Sequence, residues 1–146
     1  MNNEKNVTIV NESVEDQINA FDSNMVITIS HLLKVAAQPE RFDTSWMTSI
    51  NKGINNGFSR ITNPTAIKRI KDKTFEEYKK RAIEKANSEM VNKKVTNDQV
   101  TNLINTFKNH VSNLQDKEKV SSYIASQIDN SDIPDMYKKQ YKKYIK

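Results

Sequence analysis

The sequence predicts an all-α protein, a compact bundle of about five to seven helices. Only 2 glycines and 3 prolines interrupt its 146 residues, whereas a β-rich fold of this length needs many more turn residues. Apolar residues recur at spacings of three and four along most of the chain, which is the spacing of one face of an α-helix. The length corresponds to one domain with one core, and we place this helical domain at residues 13–146.

The first predicted helix begins at Ser13 and carries the longest apolar stripe of the chain. Ser13 and Asp16 have the spacing of a capping box, in which side chains satisfy the free amides of the first turn. The helix is expected to end before Pro39, because the residue preceding a proline disfavours helical backbone. We expect it to be the most buried helix. Its stripe consists of Val14, Ile18, Phe21, Met25, Leu32 and Val35, widened by Ile29, Leu33 and Ala36.

A second helix is predicted over residues 44–61, and both glycines of the chain, Gly53 and Gly57, lie inside it. Each glycine costs about 1 kcal/mol relative to alanine in a helix interior. Their four-residue spacing therefore predicts either a close helix crossing or a break in the helix.

The next helix starts are predicted from capping residues. Asn63 followed by Pro64 is a typical helix start, since proline fits the first helical position. A further capping box begins at Thr74, so we expect a kinked or paired helix over residues 64–72 and 75–93.

The clearest local signal is the capping box formed by Thr96 and Gln99. Val95 and Val100 occupy the two flanking positions that form a hydrophobic staple, so a new helix is expected to start here. Its buried face is predicted to run from Val100 to Leu114.

Two more helices complete the predicted bundle. A short one covers residues 120–128, and Pro134 opens the last one, because proline is favoured at the start of a helix. One side of this last helix is expected to combine Ile133, Met136, Tyr137, Tyr141, Tyr144 and Ile145.

The excess charge of the chain sits in its last ten residues. Residues 137–146 contain five lysines and no acid, whereas residues 1–136 hold 18 basic and 18 acidic side chains, so this segment accounts for the formal net charge of +5. Its tyrosines are expected to pack on the core while its lysines stay hydrated. The same element offers a basic surface to phosphates or to an acidic protein. The candidate partner-binding residues here are Tyr137, Lys138, Lys139, Tyr141, Lys142, Lys143, Tyr144 and Lys146.

A second basic patch is predicted at the kink that precedes residue 75. Residues 68–94 hold ten basic and five acidic side chains, while residues 1–43 hold three basic and seven acidic ones. This separation of charge has three interpretations: neutralisation within the fold, head-to-tail self-association, or a basic face for nucleic acid. The candidate partner-binding residues of this patch are Lys68, Arg69, Lys71 and Lys73.

Residues 1–12 are predicted to form an extended N-terminal arm. Val7 and Ile9 alternate with other side chains, as residues on one face of an extended segment do. We expect this arm to lie against the domain or against a neighbouring subunit, for example by adding a strand to a partner. Val7 and Ile9 are therefore candidate partner-binding residues.

Residue types that commonly perform catalysis are sparse. The chain has no cysteine and only two histidines, His31 and His110, neither of which belongs to an HExxH zinc motif. The positions three residues earlier, where a di-iron bundle has glutamate, are Thr28 and Phe107. Both histidines border predicted buried stripes, so we expect boundary or core residues. We predict no enzyme activity, no catalytic or metal-binding residue, no cofactor and no small-molecule substrate.

The sequence also predicts where the protein is found. No apolar run approaches the roughly 20 residues that a membrane span needs, and residues 1–10 are too polar for a secretion signal. The lack of cysteine fits a reducing compartment. We therefore expect a cytoplasmic protein without a membrane partner.

These observations favour a non-enzymatic helical binding or assembly protein, which docks onto a protein partner or self-associates into an oligomer. The alternative is an accessory nucleic-acid-binding protein that uses its lysine patches on phosphates. Such binding is expected to be independent of base sequence, since lysine far outnumbers arginine and base edges are best read by arginine forks. The composition would suit a small protein encoded by a phage or another mobile element.

Overall fold

The computed structural model describes residues 13–90 and 93–144. Within these ranges the chain forms α-helices and two single-turn 3-10 helices without a strand, which confirms the predicted all-α fold. The α-helices are α1 (Val14–Ala37), α2 (Thr44–Ser59), α3 (Pro64–Lys71), α4 (Lys79–Glu89), α5 (Asn97–His110), α6 (Lys117–Asp129) and α7 (Asp135–Tyr144). The 3-10 helices are Pro39–Arg41 and Phe75–Tyr78. The predicted arm, with Val7 and Ile9, lies outside the described residues.

Helix α1 is the central element of the bundle and contacts α2 to α6. It begins as predicted, because the Ser13 hydroxyl accepts a hydrogen bond from the Asp16 amide at 3.0 Å. It ends at Ala37, ahead of Pro39. Phe21 and Met25 are fully buried, and neighbours pack on several sides of the helix. This explains why its apolar stripe is wider than that of a surface helix.

The two glycines of α2 mark a close helix crossing. A methyl group added at Gly53 would overlap the hydroxyl of Thr28, and one at Gly57 would lie 3.3 Å from the Cβ of Asn24. Helix α2 runs through both positions without a break. Of the two predicted outcomes, the close crossing is therefore confirmed, since only glycine lets the two backbones approach so closely.

The capping boxes at Thr74 and Thr96 are confirmed, and at Ser13 the hydroxyl cap alone is observed. Several helices end earlier than predicted, among them α2, which ends at Ser59. The Thr96 hydroxyl accepts from the Gln99 backbone amide at 3.2 Å, and the Gln99 side-chain oxygen Oε1 accepts from the Thr96 backbone amide at 2.9 Å. Helix α4 ends at Glu89, because Met90 adopts extended backbone with φ −97° and ψ 148°. Helix α5 ends at His110 rather than near residue 114.

Helix α5 ends before its apolar pattern does. Val111 adopts an extended conformation with φ −129° and ψ 117°, yet Val111 and Leu114 remain buried in the core. The pattern that predicted a longer helix is therefore satisfied by a turn that folds back onto the same core. A longer helix and a turn can bury these two side chains equally well, so apolar spacing alone does not locate the helix end.

An aromatic cluster joins the second half of the bundle. Phe75 and Phe107 stack with ring centroids 3.7 Å apart, and Tyr123 of α6 packs edge-on to Phe107 at 5.2 Å. The Tyr123 hydroxyl donates to the Leu103 carbonyl at 2.8 Å, so this buried phenol keeps a hydrogen-bond partner. Burial raises the pKa of Tyr123 to about 12. Helices α5 and α6 are thereby fixed to the turn that precedes α4.

Candidate interaction surface

Helix α7 has a tyrosine side and a lysine side. Tyr141 is only 3% exposed and lies in the core, and Tyr137 is half-buried. Lys139 and Lys143 are exposed, and they lie one turn apart on the opposite side of the helix. The expectation that the tyrosines pack on the core and the lysines stay hydrated is met by these four residues.

Met136 is the exception to the predicted arrangement of α7. It was expected on the tyrosine side, but it is 62% exposed, so this prediction is wrong. Successive helix residues point about 100° apart, and the core contacts centre on Tyr137 and Tyr141. Met136 is therefore turned toward the lysine side. The side chain of Tyr144 and the whole of Ile145 and Lys146 lie outside the described residues.

The tyrosine side anchors α7 to the start of α2. The Tyr137 ring packs against Phe42 with centroids 5.6 Å apart, and Phe42 packs against Trp46 at 5.9 Å. Asp43 fixes this corner, since its carboxylate accepts from the amides of Ser45 and Trp46. The hydrogen bond from the Ser45 hydroxyl is the main reason that the pKa of Asp43 is lowered. The orientation of α7 is thus set by aromatic packing.

Burial also fixes the protonation of Tyr141. Desolvation raises the pKa of its phenol well above the usual range, so the group is neutral at physiological pH. Because its side chain lies in the core, Tyr141 positions α7 but offers no surface to a partner. Of the tyrosines predicted to bind a partner, Tyr137 is the one whose described side chain remains partly accessible.

The lysines of α7 differ in their surroundings. Lys142 Nζ lies 3.3 Å from a carboxylate oxygen of Asp129, and Lys138 is half-buried. Lys139 and Lys143 make no ion pair with any described residue. Together with Met136 and Gln140, these two lysines form what we call the outer face of α7.

The second predicted basic patch is partly neutralised from within the fold. Arg69 forms an ion pair with Glu15 of α1, and Lys73 Nζ lies 3.2 Å from a carboxylate oxygen of Asp22. Lys93 likewise pairs with Glu40 at 3.6 Å. The acidic first third of the chain therefore compensates much of the basic segment 68–94. This arrangement corresponds to the first of the three interpretations, neutralisation within the fold.

Lys73 in particular is part of an internal contact. The Tyr78 hydroxyl donates to Asp22 at 2.7 Å, and the ammonium of Lys73 lies 5.8 Å from the Tyr78 ring centroid. Burial and then the hydrogen bond to Asp22 raise the pKa of Tyr78 far above its usual value. Of the predicted patch, Lys68 and Lys71 remain exposed without an ion pair among the described residues.

A buried polar group on α1 was missed by sequence reasoning. Lys34 is 5% exposed, its ammonium lies 4.7 Å from the ring centroid of Trp46, and it approaches Glu89 at 3.4 Å. A buried ammonium needs such compensation, because unpaired charges are costly to desolvate. Lys34 is flanked by Leu33 and Val35, and a lysine inside an apolar run was the one available signal.

His31 belongs to the same group. Its Nδ1 lies 2.8 Å from the Ile27 carbonyl oxygen, so Nδ1 carries the proton and donates it to that hydrogen bond. Burial lowers the pKa of His31, the hydrogen bond to Ile27 raises it, and the charge of Lys34 lowers it further, with a net decrease. His31 is therefore a neutral core residue, as predicted. His110 is exposed at the end of α5 and borders Tyr123 at 6.1 Å between ring centroids.

Neither a metal-binding cluster nor a membrane-spanning helix is found among the described residues. In the described part of the chain no group of three or more histidine, aspartate or glutamate side chains is placed to hold a metal ion. No helix of the described ranges is long and apolar enough to cross a membrane. The features that stand out are thus the outer face of α7 and the buried polar residues Lys34 and His31, which contact Trp46.

These features define a small all-α protein with one long central helix and an exposed lysine face on α7. Residues 10–108 match the family model described as "Domain of unknown function DUF29". Because the match spans more than half of the 146 residues, the chain belongs to this family. Neither a curated protein nor a solved structure matches the chain.

The family match divides the bundle. The match covers α1 to α4 and α5 up to residue 108. It therefore includes the crossing of α1 and α2 at the two glycines and the buried residues Lys34 and His31. Helices α6 and α7 follow the matched segment. The outer face of α7 thus lies on a part of the chain that the family model does not describe.

Proposed function

We propose that this chain is a non-enzymatic binding protein that docks an acidic protein partner on the outer face of α7. The observation that supports the proposal is the contrast in charge compensation. Of the four candidate cations in residues 68–73, Arg69 and Lys73 are paired with acids of α1. Both lysines of the outer face of α7, Lys139 and Lys143, are exposed without ion partners among the described residues.

The geometry of α7 suits a protein surface. Tyr137 and Tyr141 fix the inner side of the helix on the core, so the outer face is presented by a rigid element. A preorganised face loses little conformational entropy when it binds. Met136, Lys139 and Lys143 lie at positions i, i+3 and i+7, which places them in one row along the helix.

Met136 favours a protein over a nucleic acid. It is 62% exposed, and an exposed apolar side chain flanked by lysines matches an apolar contact rimmed by acids. The charges are expected to act mainly on the rate of association and on the choice of partner.

The test is fluorescence polarisation with two labelled probes, a helical glutamate-rich peptide in which leucines recur every three or four residues and a duplex DNA of 20 base pairs. The chain is compared with the double variant K139Q/K143Q, which removes the charges of the outer face. The matched control is K117Q/K119Q, which removes two exposed lysines from α6. Each titration is repeated at several salt concentrations.

We expect the acidic peptide to bind, K139Q/K143Q to weaken this binding about tenfold, and the control to leave it within twofold. Tighter binding of DNA, with a steep salt dependence that K139Q/K143Q abolishes, would replace the proposal with the nucleic-acid alternative. Absence of binding to both probes at low salt, or equal losses in both variants, would overturn it. Light scattering of the free chain separates peptide binding from self-association.

A further inference from the structure

A cavity of about 300 Å³ lies where α1, α5 and α6 meet. Its apolar wall comes from Leu32, Leu33 and Val35 of α1 together with Leu103 of α5. Its volume is at the lower end of the roughly 300 to 1,000 Å³ that is usual for ligand pockets. The cavity is thus suited to a small molecule rather than to a peptide or a nucleotide.

Several polar groups of the cavity are already used by the fold. The Gln99 side chain donates to the Ala36 carbonyl at 3.2 Å and accepts from the Thr96 amide at 2.9 Å. The Asn130 amide donates to the Ser126 hydroxyl at 3.3 Å. These hydrogen bonds hold the wall in place, and they leave little capacity for a ligand on Gln99.

Three other side chains of the cavity are available to a ligand. The amides of Asn102 and Gln127 and the carboxylate of Asp132 line it, and none of the three forms a side-chain hydrogen bond or an ion pair with a described residue. Asp132 is the only charged residue among the described residues that line the cavity. The electrostatic preference is therefore for a cation, because a carboxylate and amide oxygens all accept hydrogen bonds.

We propose that this cavity binds a small primary amine with an aliphatic body. The ammonium group donates hydrogen bonds to Asp132 and to the amide oxygens of Asn102 and Gln127. The aliphatic body lies against Leu32 and Leu103. An alkyl ammonium has three donors on one atom, which matches in number the three side chains of the lining that are free to accept a hydrogen bond.

The site needs both parts of the bundle. Asn102 and the apolar wall belong to the segment that matches the family model, whereas Gln127 and Asp132 belong to α6 and the turn after it. Helix α6 and the turn after it therefore complete a cavity that the family segment alone leaves open on one side. This inference does not depend on the outer face of α7.

The test is isothermal titration calorimetry of the full chain with hexylamine. Hexanol and hexanoate serve as neutral and anionic probes of similar length. The variant D132N removes the proposed counter-ion. The matched control is D135N, since Asp135 is an exposed aspartate three residues further on that does not line the cavity. Chemical shifts of the Leu32 and Leu103 methyl groups give a second measurement that reports the location of binding.

We expect hexylamine to bind and to shift both methyl resonances, and D132N to weaken binding about tenfold. D135N should leave the affinity within twofold. Equal binding of hexanol or hexanoate, an unchanged affinity in D132N, or binding without a shift of the two methyl groups would overturn the proposal. Absence of heat and of shifts with all three probes would overturn it as well. Melting curves of D132N and D135N show whether the variants keep the fold.

Discussion

The two lysine-rich segments of this chain, residues 68–73 and helix α7, resemble each other in sequence and differ in their surroundings. In the first segment, Arg69 and Lys73 pair with Glu15 and Asp22 of α1. Lys68 and Lys71 of that segment stay exposed without an ion pair among the described residues. In α7, Lys142 pairs with Asp129, while Lys139 and Lys143 face outward without ion partners in the described ranges. Composition alone therefore does not identify a binding surface. Acids that are distant in sequence decide which cations remain available.

The largest expected effect comes from breaking the internal contact. The substitution Asp22→Ala leaves the buried Tyr78 hydroxyl without its acceptor and Lys73 without its ion partner. Hydrogen bonds to charged groups contribute about 1.5 to 3 kcal/mol, so the free energy of unfolding should fall by about 2 kcal/mol. Urea denaturation measures it.

The control for this experiment is Asp72→Ala, which removes an exposed acid next to the same basic segment. Its effect should stay within about 0.5 kcal/mol, as for most surface substitutions. If both variants lost the same stability, the contact among Asp22, Lys73 and Tyr78 would not be the cause.

An intermediate effect is expected from His31, which lies near another internally paired cation, Lys34. Burial lowers the pKa of His31 in the folded state. The unfolded state, with a pKa near 6.5, therefore binds a proton that the folded state does not. Stability should fall as the pH drops below about 6.5, by at most about 1.4 kcal/mol per pH unit for this one proton.

The variant His31→Asn checks this pH dependence. Asparagine keeps a donor near the position of Nδ1 but does not titrate, so the decrease in stability between pH 6.5 and 5 should become smaller. His110→Gln is the control, because His110 is exposed, and it should leave the slope almost unchanged. Identical slopes in the original chain and in His31→Asn would contradict the assignment. Chemical denaturation at several pH values provides the data.

The smallest effect is expected from the outer face of α7. The double variant K139Q/K143Q should change the free energy of unfolding by less than about 0.5 kcal/mol, because exposed lysines without partners contribute little to stability. The substitution Lys73→Gln, in contrast, should cost about 1 kcal/mol. Thermal melts of the two variants compare the segments directly. A large loss in K139Q/K143Q would show that these lysines support the fold.

Local signals predicted how most helices begin. Ser13, Asn63 and Thr96 were recognised from their own side chains and those of residues two or three positions later, and each forms the expected hydrogen bond. Such caps depend on a few neighbouring residues, so they can be read without knowledge of the fold.

Helix ends were harder to predict. Helix α4 ends at Glu89 and α5 at His110 without a glycine or proline at either position. Their ends are set by where the following residues can reach the core, as Val111 and Leu114 do. This depends on the position of other helices and leaves no local signal.

The candidate sites also combine features that local sequence predicts with features that depend on distant residues. The lysines and tyrosines of α7 were found from charge and spacing, and the packing of Tyr137 and Tyr141 met the expectation. Met136 was placed on the wrong side, since a spacing of three or four residues leaves the edge of a helix face undefined. Lys34 was missed, because its partner Glu89 lies 55 residues away.

The sequence by itself determined the helical class, the capped helix starts, the glycine pair that marks an unusual point in α2, and the location of the excess charge. The tertiary structure decided that the glycines form a crossing, that Glu15 and Asp22 pair with Arg69 and Lys73, and that three helices line a cavity beside Asp132. Helix propensity and capping act over a few residues. Charge compensation and cavity formation depend on residues that folding brings together from distant parts of the chain.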